Sequence, residues 1–242
     1  MKLAIISDIH GNLTALNAVL EDIARRDCVK ILCCGDIVGY GPHPGECLEI
    51  IRSRNIPCVR GNHDDLMINS ERLAVLRREV KTSVLWTREQ LSAQDRQWLG
   101  ALPFRRQYAG IELIHASHVF HPPWQYVTDL RTVSGNFLFQ KAAISFHGHT
   151  HLPLLGLHRR GARPKLLMLR DLQIPPNHKC LVNAGSVGQP RDRNPDAAYI
   201  TFDSHNREIN LHRVPYDIRQ TADDIRKADL PDRLASRLFE GR

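Results

Sequence analysis

The chain has 242 residues, 33 Lys and Arg against 26 Asp and Glu for a formal charge of +7, and 13 histidines, more than its 3 Trp and 5 Tyr together. Its length suits one large domain or two small ones with a sizeable core. A composition of 42% hydrophobic and 24% charged residues, with modest Gly and Pro and 6 Cys, excludes collagenous, disordered and disulfide-scaffold chains.

The apolar run at residues 3–6 is too short for a signal peptide before Ser7 and Asp8 interrupt it, and no run approaches the ~18 apolar residues of a membrane span. A soluble, cytoplasmic protein is therefore expected. Cys28, Cys33, Cys34, Cys47, Cys58 and Cys180 form no CxxC pair, and neighbouring Cys33 and Cys34 would point to opposite faces of a strand. They read as reduced, mostly buried thiols, not as a structural zinc site. A basic chain rich in histidine leaves two classes open, an anion or nucleic-acid binder and a metalloenzyme with histidine ligands. Position decides between them.

Along the chain, five short apolar runs each end in a polar cluster. Residues 3–6 end at Ser7-Asp8-Ile9-His10-Gly11-Asn12, and residues 31–34 at Gly35-Asp36. Residues 57–59 lead to Arg60-Gly61-Asn62-His63-Asp64, residues 111–114 to His115, and residues 142–146 to His147-Gly148-His149-Thr150-His151. Such runs read as strands buried on both faces. Between the first two, residues 13–26 space Leu13, Leu16, Ala18, Leu20 and Ile23 as a helix does. Residues 44–53 do the same with Cys47, Leu48, Ile50 and Ile51. This is a β-α-β-α-β start with parallel, right-handed crossovers. In such sheets ligands bind beyond the carboxyl ends of the strands, which is where all five clusters fall.

Further on, residues 71–99 read as helical, interrupted where Ser92 and Asp95 resemble a capping box. Residues 159–165, with Arg159, Arg160, Arg163 and Lys165 around Gly161 and Pro164, read as a solvated hairpin turn, with an anion-binding rim as the second reading. Residues 166–169, 179–183, 197–203 and 208–213 read as the strands of a second sheet. Residues 217–240 read as helical, broken by Pro231. One domain over residues 1–242 is expected, with a helical insertion or cap at about 66–100 and a helical tail from about 217.

Asp8 and His10 lie one residue apart, as do His149 and His151, so each pair points one way in an extended segment. With Asp36, Asn62 and His115 they make a mixed N/O donor set, which suits Mn, Fe, Zn, Ni or Co better than Mg or Ca. Seven donors are too many for one ion with an open position and suit two ions sharing a bridging carboxylate. Each donor has a plainer reading. Asp8 could cap a helix, and His115 could be a satisfied core histidine. The five blocks together outweigh those readings. His118, His121 and His147 are surplus to the set and read as supporting or structural residues. Trp86, Leu91 and Trp98 read as core packing, and Tyr40 with Pro42 and Pro44 as either a pocket wall or a rigid loop.

The ordered blocks Asp8-Ile9-His10, Gly35-Asp36, Gly61-Asn62-His63-Asp64, His115 and Gly148-His149-Thr150-His151 resemble the motif set of the calcineurin-like metallophosphoesterase superfamily. The likeness runs to about Asp203, because Asn183-Ala184-Gly185-Ser186-Val187-Gly188-Gln189-Pro190-Arg191 resembles the closing segment of small bacterial and archaeal members. The resemblance implies a four-layer αββα sandwich, two mixed sheets flanked by helices. It also implies two divalent transition-metal ions, manganese ahead of iron, zinc, nickel or cobalt. Asp8, His10, Asp36 and His151 would hold the first ion; Asp36, Asn62, His115 and His149 the second; His63 would contact the phosphate and protonate the leaving group.

The implied activity is hydrolysis of phosphate mono- or diesters by a hydroxide that the metals activate. The alternatives are a dinucleoside polyphosphate or other nucleotide hydrolase, and a non-catalytic metal-binding scaffold. A small phosphorylated substrate is the expected partner. Nucleic acid is disfavoured by scattered arginine pairs and the lack of a base-reading motif. One departure stands out. Protein phosphatases of this superfamily and their tetraphosphatase relatives carry an Arg in GDxVxRG, and here Gly39 and Tyr40 occupy that stretch. A phosphate-gripping arginine would come instead from Arg60, Arg191 or Arg193.

Overall fold

The structure is a computed structural model and describes residues 1–119 and 124–242. His121 lies outside the described residues. In chain order the elements begin β1 (Lys2–Ile6), α1 (Leu13–Ala24), β2 (Lys30–Cys33), α2 (Pro44–Ser53) and the single turn α3 (Asn62–Asp65). A 3₁₀ turn (Leu73–Val75), α4 (Arg78–Gln90), α5 (Ala93–Ala101), β3 (Arg105–Tyr108), β4 (Ile111–Ile114) and α6 (Leu130–Phe139) follow. The rest is β5 (Ile144–His147), β6 (Leu154–Arg159), β7 (Lys165–Met168), β8 (Leu172–Gln173), β9 (His178–Asn183), β10 (Ala197–Asp203), β11 (Glu208–Val214), α7 (Ile218–Lys227) and α8 (Asp232–Glu240).

The strands form two mixed sheets, ordered β2-β1-β10-β11-β8 and β3-β4-β5-β9-β6-β7. In β1, side-chain alternation separates two cores: Leu3 and Ile5 face the second sheet, and Ala4 and Ile6 face α1 and α2. In β10, Ile200 and Phe202 join the inter-sheet core, where Phe202 meets Phe146 of β5 with ring centroids 5.5 Å apart, while Tyr199 turns to the helices. On the outer face of the second sheet, Leu181 of β9 packs with Val133 and Phe137 of α6. The result is helix, sheet, sheet, helix, the αββα order expected. Cys33 and Cys34 split between the two cores as their adjacency predicts, and all six cysteines are free thiols.

Local signals account for most elements. In α1, Ala15, Leu16, Val19, Leu20 and Ile23 bury one stripe, and the Asn12 side chain accepts from the Ala15 N–H at the start. Ser92 and Asp95 form the capping box that opens α5. Pro231 stands at the start of α8, where its missing N–H does no harm. Leu91 is buried under α1 and α2, Trp98 packs on that core, and Trp86 packs beside α7 and α8, the packing roles read from sequence. The Arg159–Lys165 region turns between antiparallel β6 and β7. Among the described residues, no helix is long and apolar enough to cross a membrane.

Two expectations need correction. Residues 57–59 are not a strand but one parallel bridge, Cys33 to Cys58, because the chain then leaves the sheet and the Arg60 N–H donates to Pro103 O (2.8 Å). The late strands do not all join the second sheet. β10 pairs antiparallel with β1 and β11 with β10, because their apolar residues match the two faces of β1; only β7 and β9 lie in the other sheet.

Candidate metal centre

β1 and β2, running parallel, end side by side at Asp8-Ile9-His10 and Gly35-Asp36, and in the other sheet β4 and β5 end at His115 and at the Gly148–His151 turn. All seven residues proposed as ligands from sequence meet there. Suitable donor atoms of Asp8, His10 and His151 lie within 4.8 Å of one another, and so do those of Asp36, His115 and His149. Asp36 Oδ2 sits between the groups, 3.6 Å from His10 Nε2 and 3.3 Å from His115 Nε2. The Asn62 amide oxygen lies 3.1 Å from His115 Nε2. His10, Asp36 and His63 form a third such group, so His63 stands at the edge of the same cluster.

The backbone is bent to achieve this. Asp8, His10, Asp36, His149 and His151, with Tyr40, adopt φ between 51° and 68°, a left-handed region costing non-glycine residues about 1–3 kcal/mol each. Glycine makes room at two points. A Cβ on Gly61 would overlap Asp36 Oδ1, and one on Gly148 would overlap Ser7 Oγ and Asp8 Oδ2. Asp64, to which sequence reasoning gave no role, ties the loops together. Its carboxylate accepts from the N–H groups of Asp36, Ile37 and Gly61, each at 2.9 Å, and of Val38 at 3.4 Å. Burial and the nearby Asp36 charge push it up to about 7, against these donors. The closing segment also holds the site: Ser186 Oγ donates to Asp8 O (2.8 Å) and the Asn12 amide to Gly188 O (2.9 Å).

The histidine nitrogens show what the cluster can hold. The Nδ1–H groups of His10, His115 and His151 donate to backbone carbonyls of Val38 (3.2 Å), Cys34 (2.7 Å) and Gln189 (2.5 Å). A carbonyl only accepts, so each Nδ1 carries the proton and each Nε2 is turned inward, where it could bind a metal. His149 uses Nε2 on Trp124 O (3.1 Å), which leaves Nδ1. Nε2 of His10 and of His151 are 3.1 Å apart, two lone pairs facing each other, an arrangement a cation between them would relieve. Burial opposes a charged His115, but the Asp36 and Asp8 carboxylates outweigh it and raise its pKa to about 10. A proton thus stands at Nε2 where a cation fits. Burial likewise opposes ionised Asp36, yet His115 and His63 hold it well below the usual carboxylate range. His149 is pushed down to about 3 and His63 to about 4 by burial, with the charges of His115 and Arg191 respectively adding to it. The donor chemistry fits divalent transition metals.

Residues 1–207 match the calcineurin-like phosphoesterase superfamily domain. The chain belongs to that superfamily. It is 38% identical over 99% of its length to an uncharacterized Methanocaldococcus jannaschii protein, 98% of which is covered. Its structure resembles the crystal structure of a metallophosphoesterase from Sphaerobacter thermophilus, with a TM-score of 0.85 and 36% identity over 100% of this chain and 99% of that one. The fold is shared with a hypothetical protein from Pyrococcus horikoshii, at a TM-score of 0.80 and 22% identity over 100% and 98% of the two chains.

In this superfamily member, a cleft of about 250 Å³ opens over the cluster. One wall is Asp36, Asn62, His63, His149 and His151; the other is the segment from Leu66 to Val80, with Trp124 and Tyr126 at one side. The Tyr126 ring stacks on His149 at 4.2 Å, and Tyr40 packs on His63 at 4.3 Å and His10 at 4.7 Å. Tyr40 is therefore a pocket wall, whereas Pro42 and Pro44 do not line the cleft. Of the three arginines considered, Arg191 alone lines it, its guanidinium 5.8 Å from the Tyr40 ring and its Nη2 donating to Gln189 Oε1 (2.8 Å). Arg60 donates to the carbonyls of Leu102 and Gly100 and to Asp65, and lies over Phe104, so it is a brace; Arg193 is not part of the lining. His118 bonds Ser145 and Arg105 away from the cluster, and His147 bonds Asn183. Trp124, Tyr126, Arg72 and Arg77 carry no motif and were not legible as lining residues.

Proposed function

We propose that this calcineurin-like phosphoesterase hydrolyses small phosphate mono- or diesters with two divalent transition-metal ions, manganese first among them. Asp8, His10, Asp36 and His151 would hold one ion, and Asp36, Asn62, His115 and His149 the other. The observation that carries the reading is Asp36 Oδ2, set between two histidine-rich donor groups whose spare ring nitrogens are pinned to carbonyls. When bound, such a pair of ions draws a nucleophile from water at neutral pH and neutralises charge that builds on the transferring phosphate.

The chain's own groups do the rest. Arg191, whose charge acts on both His63 and His151, binds a phosphate oxygen in place of the arginine absent from the Gly35–Gly41 loop. Tyr40, Trp124 and Tyr126 wall the cleft and restrict water. His63 is neutral in the free protein. The charge of an arriving phosphate opposes that depression, and the imidazolium so formed gives its proton to the leaving oxygen. The cleft volume favours a small ester over a dinucleoside polyphosphate, because drug-sized ligands need roughly 300–1,000 Å³.

The test is metal analysis of the purified protein, followed by aryl mono- and diesters and nucleotides assayed under Mn, Ni and Zn. Turnover of simple esters that Asp36→Asn abolishes is expected. A metal-loaded protein inert towards every phosphoester would overturn the reading and favour a metal-binding scaffold.

A further inference from the structure

The cleft is lined by two further cations besides Arg191. Arg72 and Arg77 project from the Leu66–Val80 wall into the cleft that Asp36, His149 and Arg191 line from the other side. Both are exposed, and neither side chain makes a hydrogen bond or ion pair among the described residues. Among the described residues, the carboxylates lining the cleft are Asp36, committed to the cluster, and Asp65, paired with Arg60 at 3.1 Å. The same cleft is lined by Leu66, Leu76, Val80 and Tyr126. It thus combines the histidine cluster, an apolar surface, and two cations that form no ion pair among the described residues.

We propose that Arg72 and Arg77 form a second anion subsite, so that the preferred substrate is a phosphoester whose leaving group carries a ring-sized apolar body and a further anionic group, phosphate or carboxylate. This rests on the phosphoesterase reading for its chemistry, but not for its binding. The transferred phosphate lies at the histidine cluster, the body packs on Leu76, Val80 and Tyr126, and the distal anion pairs with the two guanidinium groups. Arginine suits that end because its planar fork bonds a carboxylate or phosphate with two parallel N–H groups.

The experiment crosses the arginines with the distal charge. With the manganese-loaded protein, kcat/KM is measured for phenyl phosphate, 4-carboxyphenyl phosphate and 4-(phosphonomethyl)phenyl phosphate, in the parent and in Arg72→Ala/Arg77→Ala. Calorimetry then compares binding of phenylphosphonate with that of 1,4-phenylenediphosphonate, which is not hydrolysed. The double variant should weaken the compounds with two anionic groups about tenfold, chiefly through KM and Kd, and change phenyl phosphate and phenylphosphonate less than about twofold. Arg72→Lys/Arg77→Lys should recover part of the loss. The two distal groups distinguish a carboxylate site from a phosphate site. Equal losses for compounds with and without the distal anionic group, or no loss for either, would overturn the subsite. If no ester is turned over yet the diphosphonate still discriminates parent from variant, the subsite stands and the phosphoesterase reading falls.

Discussion

Asp64 offers the sharpest test of how the metal loops are held, because the residue itself faces neither cleft nor cluster. Asp64→Ala removes the acceptor for three N–H groups at 2.9 Å and a weaker one at 3.4 Å, all buried, and each orphaned donor loses roughly 1–3 kcal/mol. Three well-formed bonds therefore put the loss at about 3–9 kcal/mol, a large part of the ~5–15 kcal/mol that holds a typical domain. Asp64→Asn keeps one oxygen and should lose about half as much. Urea unfolding of metal-free protein, followed by far-UV circular dichroism, isolates the folding term. Manganese content then reports the site, since the freed segment carries Asp36 and its neighbour Gly61 precedes Asn62. Metal-free Asp64→Ala within about 1 kcal/mol of the parent, with manganese content unchanged, would refute the idea that this carboxylate fastens the two loops.

Four further outcomes follow from the geometry. His63→Ala should lower kcat by about 10²–10⁴-fold while manganese content stays near normal; loss of metal would make His63 a ligand. Arg191→Ala should lower kcat/KM by about 10–100-fold without changing metal content, and an unchanged value would remove Arg191 from phosphate binding. His115 holds its proton up to about pH 10, so a metal must displace it at neutral pH, and apparent manganese affinity should rise with pH. Calorimetry in buffers of different ionisation heat should find a proton released, and its absence would contradict the role of His115 Nε2. In the metal-free protein, His63, His147 and His149 have folded pKa values of about 4, 3 and 3, below the unfolded value of 6.5. The unfolded chain then takes up protons that the folded chain refuses, so stability should fall as pH drops from 6.5 towards 4. His10, His151 and His212 are lowered too and add to this fall, while the raised Asp64 offsets part of it. Stability that is flat or rising over that window would contradict the buried, neutral state of these histidines.

What the sequence made legible was local chemistry, and what it hid was long-range pairing. The first half of the fold was readable because each strand is a short apolar run whose loop carries ligands, and because α1 and α2 bury stripes with helical spacing. The partner of β1 was not readable. β10 lies nearly 200 residues away, and nothing in the alternation of residues 197–203 says which of two sheets they should join. Residues 57–59 look like a strand by composition but keep only one bridge, because the chain leaves the sheet at Arg60 and then passes against Asp36 at Gly61.

The candidate site divides the same way. Asp8, His10, Asp36, Asn62, His115, His149 and His151 announce themselves by residue type and spacing, since few other uses exist for such donors at the ends of buried strands. Arg72, Arg77, Trp124 and Tyr126 act by facing a cleft that exists only once the Leu66–Val80 segment folds over the ligand cluster. Their types alone are indistinguishable from an ordinary solvated surface. Ligand residues must answer to one coordination chemistry, whereas the cleft's outer wall answers to one substrate. The metal end of the site therefore carries a recognisable pattern, and the end that selects the substrate carries none that a single sequence can reveal.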